Sequence, residues 1–486
     1  MRTAAVARIR RVRMVYAVVV MAVIVFAAAL YSMKSGDRDL AAPMSAILGI
    51  TITFILILWA RDGAPPVFEA GTLCVLANAL YGCLPLTGFL MMHGQWDINV
   101  DTRLNAYPFL SSELGVFGWR YAVYAGSFAA TYLVVRGRAT VKATSFRLPK
   151  PDVQAATVVV FVVLYAIKLA LRIAYDYDPE ALSYTGDMAL ESAALNAKPY
   201  LVLQIGHNVL GSFLLVQQAV LILLFARWRQ SWARYTLGIW LAGEVAATVI
   251  RLGSRSVAVI LLISAGVLYH RLVKRVTFRT AIAAGTLLLA GFLIVGAIRV
   301  RQPGVAESGS NILTAANEFQ GLFTTAFDIH KKREAGLIAA VPWQIYVSDL
   351  YLLIPSQILP FEKVDPAAWY IELIGQTGAG AGYMFGVMSQ AAVGLDWIEL
   401  VLRGAALGVS LALLQRWYVR HSMEFWPTLF CLFASVWTYM TFRASTFYFV
   451  YFIVYHFLPV VMVTKMLAPL VHRIRGKSVA PRALQA

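Results

Sequence analysis

Ionisable side chains inside or at the rim of apolar stretches are the residues whose type and spacing could do chemistry, because a charge in hydrocarbon persists only where it is paired or used. Three clusters and one isolated arginine meet that description. Lys168 and Arg172 stand four apart and share one helical face, where two like charges repel unless an anion lies beside them or both reach out to lipid phosphates. Glu244 and Arg251 stand seven apart on one face. A buried carboxylate is tolerable only when paired, so Glu244 is expected to pair structurally with Arg251, leaving Arg255, beyond the Gly253-Ser254 turn, as the freer cation. Arg299 and Arg301 leave an apolar run together, followed by Glu318, Asp328, His330, Lys331, Lys332 and Arg333. By itself the His330 to Arg333 run reads as a solvated face. Arg443 sits in a short turn, Thr441-Phe442-Arg443-Ala444, between two apolar runs.

Arginines gathered at a membrane face suit a phosphorylated ligand, since guanidinium groups stay charged and bind phosphate bidentately. A ring of Arg172, Arg255, Arg301 and Arg443 is expected to hold a pyrophosphate headgroup at the lipid–water boundary. Other chemistries lack their signatures. The sequence has no Gly-Lys-Ser/Thr phosphate loop, no His-Glu-x-x-His and no paired His/Cys spacing for zinc, so neither a metal nor another cofactor is expected. Cys74, Cys83 and Cys431 all fall in apolar runs and make no disulfide framework. The Gly-rich stretch from Gly375 to Gly382 reads as close backbone packing, and Asp37-Arg38-Asp39 is a weak Asp-x-Asp match.

The elements that must position these residues are membrane helices. Of 486 residues, 60% are hydrophobic and only 14% charged, with a mean hydropathy of +0.68. A soluble surface needs more charge than that. The net charge of +17 is carried by Lys and Arg between apolar runs, where they orient spans and meet anionic lipid, so nucleic acid is not an expected partner. The composition predicts an all-α polytopic protein with about twelve spans of about 20 residues each. They fall near 14–32, 42–60, 67–92, 117–135, 154–173, 201–226, 235–250, 256–270, 280–299, 397–415, 425–441 and 446–468. Basic residues at 136–150, 227–234, 271–279 and 473–482 place both termini in the cytoplasm by the positive-inside rule.

Three longer connections, 93–116, 174–200 and 300–396, then lie on the outer, periplasmic face, all within one integral membrane domain. A connection as long as 300–396 is unusual unless functional. Its segment near 340–359, with Trp343, Tyr346, Leu350 and Tyr351, is expected to form an interfacial helix, and 375–394 to be re-entrant or surface structure.

The layout resembles the Wzy-type O-antigen and oligosaccharide repeat-unit polymerases: about twelve spans, a longer outer loop between the fifth and sixth, and a larger one between the ninth and tenth. Leu252-Gly253-Ser254-Arg255-Ser256, the approach to Gly394-Leu395-Asp396, Gly404-Ala405-Ala406-Leu407-Gly408 and Arg443 add to the likeness. The resemblance implies a GT-C-like membrane fold shared with O-antigen ligases. The implied enzyme sits in a bacterial inner membrane with its active site toward the periplasm. It would move a growing glycan from undecaprenyl pyrophosphate to a sugar hydroxyl of a new lipid-linked unit, using no nucleotide sugar. Pyrophosphate contacts would come from Arg255, Arg301 and Arg443, then Lys168, Arg172 and Arg299, and the base from Glu318, Asp328 or His330. Membrane lipids, a chain-length regulator and a flippase would be partners. Family members carry a carboxylate in the Gly-rich stretch before the tenth span, where this chain has Ser389-Gln390. The competing expectations are an O-antigen ligase acting on a lipid-A core, a non-catalytic polysaccharide or lipid transporter, and a scaffold subunit of an export complex.

Overall fold

The computed structural model describes residues 38–62, 66, 69–91, 111–137, 146–175, 200–251, 255–300, 318–338, 340–351, 354, 358–374 and 385–479. The apolar run 14–32, most of the loops 93–116 and 174–200, Arg301 and the Gly-rich stretch 375–382 lie outside them, as do the side chains of Arg251, Arg255, Arg299 and Glu318. Among the described residues the chain is helical, and the one β-bridge, Arg147 with Glu424, is isolated. Among the described residues, six helices are long and apolar enough to cross a membrane: Asp39–Asp62, Ala70–Phe89, Pro151–Tyr175, Trp397–His421, Phe425–Arg443 and Tyr448–Ile474. This is a multi-span α-helical membrane protein.

The chain divides into two compact units. The first draws on 1–141, 277–419 and 437–449. Its opening helices are α1 (Arg38–Asp62), α2 (Ala70–Met91) and α3 (Ser111–Arg136). α1 and α3 run parallel: Gly115 abuts the Asp39 carbonyl at one end, while Arg61 donates to the Leu133 carbonyl oxygen at 2.6 Å at the other. Buried aromatic rings fill the interface, with Phe54 5.4 Å from Tyr132 and Phe128 5.7 Å from Tyr132.

The second unit draws on 142–276, 420–436 and 450–486. It contains α4 (Pro151–Tyr175), α5 (Tyr200–Ala226), α6 (Ser231–Arg251) and α7 (Arg255–Leu268), the last widening into a π turn over Tyr269–Val273. α8 (Phe278–Val300) returns the chain to the first unit.

The long connection after α8 is not a detached loop. Its helix α9 (Glu318–Glu334) buries Phe319, Phe323 and Phe327, spaced four apart and therefore on one face. Phe319 lies 4.8 Å from Tyr81 of α2, and Phe323 and Phe327 lie 5.1 and 5.6 Å from Phe117 of α3. Burial of these rings explains why a helix of low overall hydrophobicity docks on α2 and α3. Lys331, Lys332 and Arg333 in its last turn complement the helix dipole. Gly336, at φ 67°, ends it, with the Leu337 N–H on the Lys332 carbonyl at 2.8 Å.

The interfacial helix expected near 340–359 is instead two single turns, α10 (Trp343–Tyr346) and α11 (Ser348–Tyr351). α12 (Pro366–Leu373) follows, and then α13 (Val387–Val393), all seven residues of which are buried, so this part of 375–394 is interior and not surface structure. α14 (Trp397–His421) packs its Gly404 and Gly408 flush on α3, where a Cβ would strike the Tyr124 and Phe128 carbonyls and the Ser127 and Thr131 hydroxyls. This Gly-x-x-x-Gly contact, part of the sequence likeness, is first of all a helix-packing device. The remaining helices are α15 (Phe425–Trp437), α16 (Met440–Arg443), α17 (Tyr448–Phe452) with a π turn at Ile453–Phe457, and α18 (Leu458–Val479).

Candidate functional site

The polar end of α9 meets the first half of α3 and the α13–α14 turn, all within the first unit. Arg120 of α3 is buried, its guanidinium between the rings of Phe117, at 5.0 Å, and Trp397, at 4.7 Å. Its Nε and Nη2 donate to both carboxylate oxygens of Asp396 at 2.8 and 2.7 Å. Asp396 sits at φ 53°, a left-handed conformation uncommon outside glycine, and keeps 28% of its side chain exposed. Arg120 Nη2 also lies 3.3 and 3.2 Å from the two ring nitrogens of His330. Nη1 of Arg120 is buried without a hydrogen-bond partner.

An arginine only donates, so the His330 nitrogen that receives Arg120 must accept. With Nδ1 in that role, Nε2–H is directed at Glu334 Oε1, 3.2 Å away. Burial, with the Arg120 charge behind it, holds the His330 pKa below its ordinary 6.5. The imidazole is therefore neutral at neutral pH.

The run read as a solvated face is a set of partnered groups. Lys331 donates to Glu113 Oε1 at 2.8 Å, and that hydrogen bond raises its pKa. Lys332 pairs with Asp328. Arg333 Nη1 donates to the carbonyls of Ala392, at 2.9 Å, Val393, at 2.8 Å, and Gly394, the open C-terminal end of α13.

A second polar node adjoins through α14. Arg403 pairs with Glu399, at 2.6 Å, with Asp349 from α11, and with Thr446 Oγ1, at 2.9 Å. Gln390 of α13 donates to Asp349 Oδ2 at 3.3 Å and accepts from the Thr446 N–H at 3.2 Å. Where the resemblance expects a carboxylate this chain has Gln390, and a carboxylate from the long loop, Asp349, lies against it.

The sequence-derived candidates are distributed as follows. His330 is in the site. Asp328 is fully buried, its Oδ2 taken by Tyr370 OH, at 2.8 Å, and Lys332, so it is sealed from an incoming hydroxyl. Arg443 lies over the Tyr439 ring at 5.6 Å. In the second unit Lys168 Nζ lies 5.3 Å from the Phe213 ring centre and Arg172 is exposed. Glu244 accepts from Gln217 Nε2 and Trp240 Nε1, both at 3.2 Å. Sequence reasoning missed Arg120, Asp349, Asp396, Glu399 and Arg403 as site residues. Arg120 and Arg403 carried the signal that singled out Glu244, an ionisable residue within an apolar run. No family model, curated protein or solved structure matches the chain.

Proposed function

We propose that this protein is a membrane glycosyltransferase that polymerises undecaprenyl-pyrophosphate-linked oligosaccharide repeat units at the periplasmic face of a bacterial inner membrane, with both termini in the cytoplasm. The observation that carries the reading is Arg120, a buried and aromatically clamped guanidinium with Nη1 unspent, in contact with a neutral histidine. Transfer asks for those two functions. The acceptor hydroxyl attacks the anomeric carbon of the growing chain, the bond to the lipid pyrophosphate breaks, and negative charge develops on the leaving oxygens. Fixed cationic donors stabilise that charge without reorganising. The hydroxyl proton passes to a base of modest pKa within hydrogen-bond reach.

His330 is the base candidate in this scheme. Arg120 meets the pyrophosphate with its spare Nη1, the acceptor hydroxyl takes the place of Nη2 at His330 Nδ1, and Glu334 then steadies the imidazolium through Nε2–H, as a carboxylate does in hydrolase triads. Asp396 holds Arg120, and Asp349 with Gln390 lines the adjoining wall. Within the same unit, Arg443 remains a candidate for headgroup contacts, with Arg301 and Arg299 behind it.

The test is a gel profile of surface polysaccharide, with lipid-linked intermediates analysed alongside, in a deletion strain complemented with wild type, Arg120→Lys, His330→Gln, Arg255→Ala or Arg443→Ala. Polymerase function gives single lipid-linked units in the deletion and in the Arg120→Lys strain. Long chains that stay on the carrier lipid identify a ligase. An unchanged profile in the deletion overturns glycan transfer in favour of a transporter or scaffold.

A further inference from the structure

The segment carrying Asp349 presents apolar side chains outward. Trp343, Tyr346 and Leu350 are 54%, 46% and 73% exposed, and their spacing of three and four puts them on one side, while Ile345, Ser348 and Tyr351 between them are buried. Ile354 and Ile358 continue the exposed series. The ridge is braced from beneath by Phe361, whose ring stands edge-on to Trp343 at 4.8 Å and to Tyr351 at 5.7 Å, and by the Tyr351 hydroxyl, which donates to the Val364 carbonyl at 2.8 Å. It is thus a supported surface and not a fringe of loose side chains.

Its depth is fixed by an ion pair. Asp349, on the same short turn as Leu350, is bound to Arg403 of α14, a helix that qualifies as a membrane span and opens at Trp397. Arg403 lies six residues into that helix, about 9 Å along its axis at 1.5 Å per residue. The ridge is therefore tied to the level of the first two turns of a span, where the polar headgroups give way to hydrocarbon. The first turns of α14 show an apolar exterior of the same kind, with Ile398 and Leu402 62% and 59% exposed. Tryptophan and tyrosine at that level have the composition of an interfacial belt, apolar bodies with polar tips, and leucine and isoleucine beside them add purely apolar area.

We infer that the ridge Trp343, Tyr346, Leu350, Ile354 and Ile358 is a monotopic anchor that lies in the outer headgroup boundary of the bilayer, and that the anchor seats Asp349 against Arg403 and Gln390. The occupant of this face is lipid. The inference rests on the spanning helices, with the outer side taken from the proposed orientation, and stands whether or not the chain transfers glycan. Its consequence for the site is direct: a loop held by lipid at its outer face delivers a carboxylate to its inner face, so lipid contact and site geometry are coupled through one turn of helix.

The experiment uses the full-length protein with Cys74, Cys83 and Cys431 replaced by Ser, carrying one cysteine at Tyr346, Leu350 or Ile358, spin-labelled and reconstituted as one copy per nanodisc of phosphatidylethanolamine and phosphatidylglycerol. Collision rates with oxygen, which concentrates in lipid, and with a water-soluble nickel chelate are measured at each site. The anchor predicts that oxygen exceeds the chelate at all three, and that all three become chelate-accessible when the protein is moved to amphipol. Chelate access exceeding oxygen in the nanodisc overturns it. Spin–spin broadening that appears only with two copies per disc, with chelate access in singly loaded discs, assigns the face to a second copy and also overturns it. All three positions are exposed, so the labels leave folding intact, and a normal elution profile of each labelled protein verifies that.

Discussion

Helix α3 carries two buried arginines four and a half turns apart, and they are used in opposite ways. Arg136 is fully engaged: Nε and Nη2 reach Glu69, Nη2 also reaches Asp62, and Nη1 donates to the Gly137 carbonyl at 3.2 Å. Tyr132 donates to the same Glu69. Asp62 and Glu69 are 11% and 7% exposed, so the cluster is closed to solvent and ties the ends of α1 and α3 to the start of α2. Arg120 has one carboxylate, a part-exposed one, together with a neutral imidazole and a spare donor. Two residues of one type on one helix thus divide into a staple and a candidate site. What separates them is how many donors are spent and whether the partner can still be reached.

Removing each arginine is the sharpest way to break that comparison. Arg136→Met strands two buried carboxylates, and loss of one partner of a buried pair costs about 3–5 kcal/mol. Most of the protein should then fail to elute as a folded species in detergent, and a normal elution profile would place Arg136 in the same class as Arg120. Arg120→Lys keeps the charge but loses the fork on Asp396, and should leave the elution profile normal while polymer yield falls by about 10²-fold, the size of effect seen when one transition-state donor is lost.

Packing sets the next scale. Gly404→Leu drives a side chain into the Tyr124 carbonyl and the Ser127 hydroxyl, and overpacking of that kind costs about 1–3 kcal/mol. It should lower the unfolding temperature in detergent and, by moving Trp397 off Arg120, reduce activity as well. An activity loss with no thermal shift would separate the two effects.

The pH dependence of His330 is a finer probe. Its folded pKa lies below its ordinary 6.5, so the unfolded chain binds the proton first as pH falls. Its contribution to stability is therefore intact above about pH 6.5 and declines as pH falls toward the folded pKa. His330→Gln should flatten the acid limb of a stability profile between pH 7 and 5, and an unchanged limb would assign that titration elsewhere. The smallest effect is expected for Lys331→Ala, because its pair with Glu113 is part-exposed, at 19% and 31%, and such pairs contribute about 0–1 kcal/mol.

The sequence determined the elements. The eleven apolar runs that fall among the described residues lie on helices, and six of those helices are long and apolar enough to cross a membrane, because the hydrophobic length that a bilayer needs is written in composition. It also singled out the long connection, with His330 within it as a candidate. The tertiary structure decided which charges are spent and which are kept. Arg120 and Arg136 look alike in sequence because pairing is a property of neighbours distant in the chain: Asp396 is 276 residues from Arg120, and Glu69 is 67 from Arg136. The run His330 to Arg333 looked solvated for the same reason, since Glu113 and the α13 carbonyls that hold Lys331 and Arg333 come together only when α9 buries its three phenylalanines against α2 and α3, whereas the Asp328–Lys332 pair is made within α9 itself.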